Sequence, residues 1–260
     1  MRRLFPSPLS PSDLEDREWG LDELADLYAY PEAVTGAGGG GAWLRANMVS
    51  SLDGAAHHEG RSQPLSSAAD MRIFGTLRGL ADAVVVGAET VRQEGYRPAR
   101  AREAFAARRA ALGQQPAPAM AVVSAGLDLD FSLPLFTSPL VPTVVLTGGD
   151  APAERVAAAR AAGAEVIVAG EGPGVEAARV PEVLAARGLR RLLTEGGPRL
   201  LGQFASARVL DEMCLSLAPV VATGAAPRIM AGPPLAVPER FALGSVLEDG
   251  GFLFTRYRRI

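Results

Sequence analysis

The residue types that could do chemistry gather where apolar runs end. Thr194-Glu195-Gly196-Gly197-Pro198 follows the apolar run Arg191–Thr194 and places a carboxylate beside two glycines and a helix-initiating proline. Two glycines let an anion approach the backbone, and the free N–H groups that open a helix attract it. The same residues also suit a tight strand–helix turn, with Glu195 capping the helix that follows. Ser50-Ser51-Leu52-Asp53-Gly54 ends another apolar run and leads through Gly60-Arg61-Ser62 to Ser66-Ser67. Gly87-Ala88-Glu89-Thr90-Val91-Arg92-Gln93-Glu94 ends a third. Ligands of open α/β sheets sit outside the carboxyl ends of the strands, so these stretches together point to one site. Asp70 has two readings: it completes a capping box with Ser67, or it faces the cleft as an acid. Gly170, Gly172 and Gly174 miss the spacing of a dinucleotide loop and carry Glu171, which would repel a pyrophosphate, so a plain loop is expected.

What is missing narrows the chemistry. The 26 basic residues are all arginine. Without lysine there is no Schiff base, no pyridoxal phosphate attachment and no Walker A loop. The single cysteine, Cys214, rules out disulfide scaffolds and cysteine-rich zinc sites, and no metal site is expected. His57 and His58 are adjacent, so they diverge and make a poor metal pair, and no nucleophile-elbow motif accompanies them. Cofactor chemistry remains, in which the protein positions and polarises. A net charge of −3 argues against nucleic acid or anionic membrane as partner. No secretory signal and no run of about 18 apolar residues is present, so a cytoplasmic protein is expected.

The elements that must position these residues alternate. Residues 1–42 read as an arm: Pro6, Pro8 and Pro11, a cap at Ser12-Asp13-Leu14-Glu15, a short helix through Leu21, Leu24, Ala25 and Tyr28, and a hinge over Gly38–Gly41. Residues 43–260 read as one α/β domain. Strands are expected over Trp43–Val49, Ala83–Gly87, Met120–Ser124, Thr143–Thr147, Glu165–Ala169 and Arg191–Thr194, with helices over Ser67–Leu80, Glu154–Ala162, from Pro181 to Gly188, and over Pro198–Ala207. Glu212–Pro219, Phe241–Glu248 and Gly251–Arg258 then read as strands, the last two joined at Asp249-Gly250. The expected fold is a mixed, mainly parallel sheet flanked by helices, with an antiparallel C-terminal edge. Arg102, Arg108 and Arg109 are expected on a solvated helix.

Read in order, Ser51-Leu52-Asp53-Gly54, Leu77-Arg78 with Ala81-Asp82-Ala83, Gly87-x-x-Thr90-Val91-x-x-Glu94, Glu195-Gly196-Gly197-Pro198, and Leu210-Asp211-Glu212 ahead of Ala218-Pro219 resemble one family. It is the reductase domain of riboflavin biosynthesis, the C-terminal half of bifunctional deaminase-reductases. The resemblance spans roughly residues 43–258. The zinc deaminase signature is absent. The resemblance implies a dihydrofolate-reductase-like fold, NADPH as cofactor, a homodimer, and reduction of a ribosylaminopyrimidine 5′-phosphate such as 5-amino-6-(5-phosphoribosylamino)uracil, opening the ribose to a ribityl chain.

Matched position by position, it implies substrate contacts at Ser62, Arg78, Arg100 or Arg97, and Glu195, with the guanidinium forks suited to phosphate. It implies cofactor contacts at Val49, Pro64, Thr90, Glu94 and Ser124, and along Gly196, Gly197, Pro198, Arg199, Leu200 and Leu201. Hydroxyls at Ser124 and Thr147 would hold the 2′-phosphate that distinguishes NADPH from NADH. Glu195 and Asp70 are the expected acids at the reacting centre. Pro64 stands where the family commonly has tryptophan, and Arg45 or Asn47 near its usual first-strand lysine. Reduction of a pterin held by Asp70, and an inactive nucleotide-binding module, are the alternative readings.

Overall fold

The computed structural model describes residues 1–6, 15–35 and 41–260. Its strands are β1 (Arg2–Phe5), β2 (Trp43–Ser50), β3 (Ala83–Gly87), β4 (Ala119–Val123), β5 (Val144–Thr147), β6 (Glu165–Val168), β7 (Arg191–Thr194), β8 (Glu212–Leu217), β9 (Phe241–Asp249) and β10 (Phe252–Arg259). They form one sheet in the order β1-β9-β10-β8-β2-β7-β3-β4-β5-β6. From β8 onward to β6 every neighbouring pair is parallel; β1, β9, β10 and β8 pair antiparallel. This is the mixed, mainly parallel sheet with an antiparallel portion that the sequence led us to expect.

The parallel strands are short apolar runs because helices cover both of their faces. Val84, Val86, Met120 and Val122 enter one core, and Val85, Ala83, Ala121 and Leu146 the other. Helix α3 (Ala68–Leu80) buries Ile73, Leu77 and Leu80 at helical spacing, and Ser67 caps it by accepting the Asp70 N–H at 3.1 Å. Helix α4 (Ala88–Glu94) starts directly on β3 and ends at Gly95, whose φ of 64° is the left-handed closure glycine favours. Helix α9 (Pro198–Ser206) opens with proline at its first position.

Several boundaries differ from expectation. The β9–β10 turn lies at Gly250-Gly251, one residue later than Asp249-Gly250, because both turn positions need positive φ (57° and 84°) and two glycines supply it. The C-terminal strands are not the sheet's outermost: β1 pairs with β9 beyond them. The segment ahead of β2 joins the main core, since Met1, Trp19, Leu24, Ala25, Tyr28 and Tyr30 bury against α3 and the sheet. Its helix α1 (Leu21–Leu27) is capped through Glu23, which accepts the Gly20 N–H. The expected cap at residues 12–14 and most of the glycine hinge lie outside the described residues. On α5 (Glu103–Ala111), Arg109 is not solvated. It is 2% exposed and its guanidinium donates to the carbonyls of Gly79, Ala81 and Gln115. A long cation with matched carbonyl acceptors can be buried where an unmatched one cannot.

Candidate functional site

A cleft of about 530 Å³ opens over the carboxyl ends of β2, β3 and β7, walled by α3, α4 and the segment from Tyr96 to Arg102. Glu195 sits at its base, 8% exposed, immediately after β7. Arg78, from the last turn of α3, grips it with both prongs: Nε to Oε1 at 2.6 Å and Nη2 to Oε2 at 2.7 Å. The Tyr96 hydroxyl donates to Oε2 at 2.5 Å. Arg78 also stacks between the rings of Phe74 (4.4 Å) and Tyr96 (5.4 Å). Burial opposes the Arg78 charge, but Glu195 outweighs it and raises the guanidinium's pKa. Burial, then Glu195, raises the Tyr96 phenol well above its usual value, so it stays a proton donor. The fork thus holds Glu195 as an oriented acceptor.

The phosphate expectation for Arg78 meets that geometry directly, because its fork already faces a carboxylate. Three other arginines line the same cleft: Arg97, Arg100 and Arg102. All are exposed, and none has a carboxylate within ion-pair distance among the described residues. Burial and the neighbouring Arg78 charge lower the Arg102 pKa, a sign of unneutralised positive charge. Arg102, expected on a solvated helix, lines the cleft, and so does Tyr96, which no motif marks. No sequence pattern announced Arg102; its guanidinium rests over Gly75, where a Cβ would make it shift.

Ser62 and Glu94, expected on substrate and cofactor respectively, bind each other: Ser62 donates its N–H and its hydroxyl to Glu94 Oε1, both at 3.1 Å. This ties the loop before α3 to the end of α4. Val49, Thr90, Glu94, Gly197 and Pro198 line the cleft. Pro64 lies exposed on a 3₁₀ turn, Gln63–Leu65, and it is Gln63 and Ser62 that face the cleft. Ser124 is buried after β4, beyond the cleft lining. Thr147 donates its hydroxyl to the Ala125 carbonyl at 2.9 Å, so that donor is taken. Leu200 and Leu201 bury their side chains in the core, which leaves only backbone to face a ligand. Arg199 is exposed, 3.7 Å from Glu89. Asp70 is 7% exposed, lines the cleft, and accepts from the hydroxyls of Ser66 (2.5 Å) and Ser216 (2.6 Å). The expected capping box is not completed: Ser67 accepts the Asp70 N–H, but the Asp70 carboxylate turns away from the Ser67 N–H, to Ser66 and to Ser216 of β8 on the cleft side.

The Gly196-Gly197 turn, joined by a cis peptide, lies against α4. A Cβ on Gly197 would stand 2.6 Å from Thr90 Oγ1. The Leu201 N–H is bound within α9 and Pro198 has none, which leaves the Arg199 and Leu200 N–H groups at the helix start. Bare glycine, free amides and a hydroxyl beside them suit the pyrophosphate of a nicotinamide dinucleotide. Elsewhere Asp53, Asp82 and Cys214 serve the structure. Asp53 accepts from Ser51 Oγ and from the Ala222 and Thr223 amides, which clips two loops together. Burial pushes the Cys214 thiol up to about 12, so it is no nucleophile. Asp82 binds the Arg190 and Arg191 amides and the Arg191 guanidinium.

The chain is an α/β protein with a cleft over the carboxyl ends of its parallel strands. Residues 42–250 match the model of the RibD C-terminal domain family, and the chain belongs to that family. It is 31% identical to the 2,5-diamino-6-ribosylamino-4(3H)-pyrimidinone 5′-phosphate reductase of Archaeoglobus fulgidus, over 70% of this chain and 82% of that one. Identity to the reductase of the same name from Methanothermobacter thermautotrophicus is also 31%, covering 68% and 78%. A solved pyrimidine reductase-like protein from Corynebacterium diphtheriae superposes with a TM-score of 0.78 at 28% identity, covering 91% of this chain and 98% of that one. The protein is an oxidoreductase of the riboflavin-biosynthesis pyrimidine reductase family.

Proposed function

We propose that the protein reduces a ribosylaminopyrimidine 5′-phosphate with NADPH, converting the ribose to an open ribityl chain. The observation that carries this reading is the shared cleft, lined by the Arg78–Glu195 fork, by three arginines without a carboxylate partner among the described residues, and by Gly197 of the glycine turn. When bound, the nicotinamide supplies a hydride to the imine-like carbon of the opened sugar. Thr90, Glu94, Pro198 and the Gly196-Gly197 turn hold the cofactor. Arg97, Arg100 and Arg102 hold the substrate phosphate, which completes their charge. Glu195, fixed by three donors, accepts from a sugar hydroxyl and orients the reacting carbon. Fixing both reactants in attack geometry lowers the barrier by about 7–11 kcal/mol without a protein nucleophile.

A pterin reductase would use Asp70 but bring the arginine group no phosphate, only the carboxylates of a folate tail, and a group of three guanidinium forks suits the phosphorylated pyrimidine better. An inactive module is disfavoured by the intact Glu195 fork. The apolar outer face of β8–β10, where Leu215, Leu217, Leu253 and Tyr257 are only half buried, supports a homodimer. No helix among the described residues is long and apolar enough to cross a membrane, and the substrate class suits the cytoplasm. The deciding experiment follows NADPH absorbance with the pyrimidine phosphate and with dihydrofolate. Consumption with the first and little with the second is expected; faster turnover of dihydrofolate overturns the reading.

A further inference from the structure

Asp70 is a carboxylate that the proposed reduction leaves without a task. It is 7% exposed, lines the cleft, and is not neutralised: no arginine lies within ion-pair distance of it among the described residues. A side chain whose job was the helix cap would turn back to the Ser67 N–H. Here the cap is made by Ser67 Oγ with the Asp70 backbone, and the carboxylate is aimed elsewhere. Two hydroxyls from separate elements do the aiming, Ser66 ahead of α3 and Ser216 on β8, one on each oxygen. Each oxygen keeps a lone pair free, and a buried carboxylate is stabilised by N–H donors that reach it.

We propose that Asp70 selects the pyrimidine base. Its carboxylate receives the adjacent ring N–H and exocyclic amino group of a 2-aminopyrimidinone, so the enzyme takes the 2-amino substrate in preference to its 2-oxo, uracil-type counterpart. The 2-amino edge offers two donors side by side, spaced as the two carboxylate oxygens are, the same match that makes a guanidinium a good carboxylate partner. The uracil edge alternates carbonyl, N–H and carbonyl, so one carbonyl oxygen would face the carboxylate. A site built to meet donors rejects an analogue that presents an acceptor, since its own buried group is then left unpaired. This inference rests on the pyrimidine phosphate reading of the cleft and names the part of that substrate that Asp70 reads.

Calorimetric titration of the intact protein, without reductant, with the 2-amino and the 2-oxo ribosylaminopyrimidine phosphates tests it. The wild type is expected to bind the 2-amino compound at least about tenfold tighter. Asp70→Asn presents one donor and one acceptor, and is expected to remove that preference while retaining the 2-oxo compound. Ser216→Ala keeps the charge but loosens its aim and is expected to narrow the preference part of the way. Equal wild-type affinities, or a preference unchanged in Asp70→Asn, overturn the role of Asp70 and leave the reductase reading standing. If neither compound binds the wild type, the reductase reading falls and takes this inference with it. Circular dichroism checks that Asp70→Asn folds; if it does not, Ser216→Ala decides, and an unchanged preference there overturns the proposal.

Discussion

The guanidinium of Arg78 meets the carboxylate of Glu195 prong to prong, at 2.6 and 2.7 Å, across 117 positions of sequence. One residue closes α3 and the other follows β7, so the fork joins a helix end to a strand end at the base of the cleft. Tyr96 completes it by donating to the same carboxylate. Tyr96→Phe removes that donor and keeps the ring against Arg78. We expect kcat/KM to fall by about 10- to 100-fold, with a loss of folding stability of about 1 kcal/mol. Steady-state kinetics and urea unfolding of the same preparation separate the two. Unchanged kinetics would show that Arg78 alone orients Glu195.

Gly197 faces Thr90 so closely that any side chain must displace it. Gly197→Val should abolish NADPH binding in a fluorescence titration while the circular dichroism spectrum stays native, because the backbone amides no longer meet the pyrophosphate. Normal cofactor affinity in that variant would remove the turn from the site.

The arginine group makes a separate prediction. Arg100→Ala with Arg102→Ala should raise KM for the phosphorylated substrate by at least about tenfold and leave kcat within a few-fold. The dephosphorylated substrate should be indifferent to the change. Equal effects on both substrates would place the phosphate elsewhere.

The strands were legible where they were apolar and buried on both faces: Ala83–Gly87 and Arg191–Thr194 run as read. Glu195 and the glycine turn were legible because a strand end, two glycines and a proline leave few other conformations. Arg109 was not, because its partners are carbonyls of Gly79 and Ala81, and no side-chain pattern announces a carbonyl acceptor. Nor was the N-terminal strand: the sequence Arg2–Phe5 has no strand alternation of its own and is held by pairing with β9, a contact across the whole chain. Leu200 and Leu201 were assigned to the cofactor by their place in the turn, yet helical geometry turns both side chains into the core.

Asp53 predicts an acid response. Hydrogen bonds from Ser51, then from the Ala222 and Thr223 amides, lower its pKa from the ordinary 3.8 to about 2. A depressed folded pKa stabilises the fold above the unfolded value, and the contribution is lost as pH falls through the folded one. The stability gap between wild type and Asp53→Asn should therefore be full above about pH 4 and close as pH falls toward 2. Thermal melts of both proteins across that range read it directly. A gap independent of pH would mean that the Asp53 pKa does not differ between the folded and unfolded protein, so the hydrogen bonds do not favour its charged form.

The last prediction concerns the buried charges of the antiparallel half. Glu212 is fully buried, with Arg256 Nε at 2.7 Å and Arg45 Nε at 2.7 Å from Oε1, and Trp43 Nε1 at 3.1 Å from Oε2. Arg45 approaches at an angle that makes an ion pair rather than a hydrogen bond, and stacks on Tyr30 at 4.2 Å. Burial pushes the Glu212 carboxyl up, but Arg45 and Arg256 outweigh it and hold the pKa below the usual range. Arg258, exposed, reaches Glu212 only at 3.9 Å, so the buried group of Glu212, Arg45 and Arg256 carries one negative and two positive charges. Glu212→Gln leaves both cations buried against a neutral amide, and should cost about 3–5 kcal/mol, as expected when one partner of a buried pair is removed. Arg45→Met instead leaves a neutral Glu212–Arg256 pair and fills the space with a flexible apolar chain, so its cost should be clearly smaller. None of the three lines the cleft, so turnover per folded molecule should hold in both variants. Urea unfolding gives the order of the two costs. A larger loss for Arg45→Met would mean that its stacking on Tyr30, rather than the charge balance around Glu212, governs this part of the core.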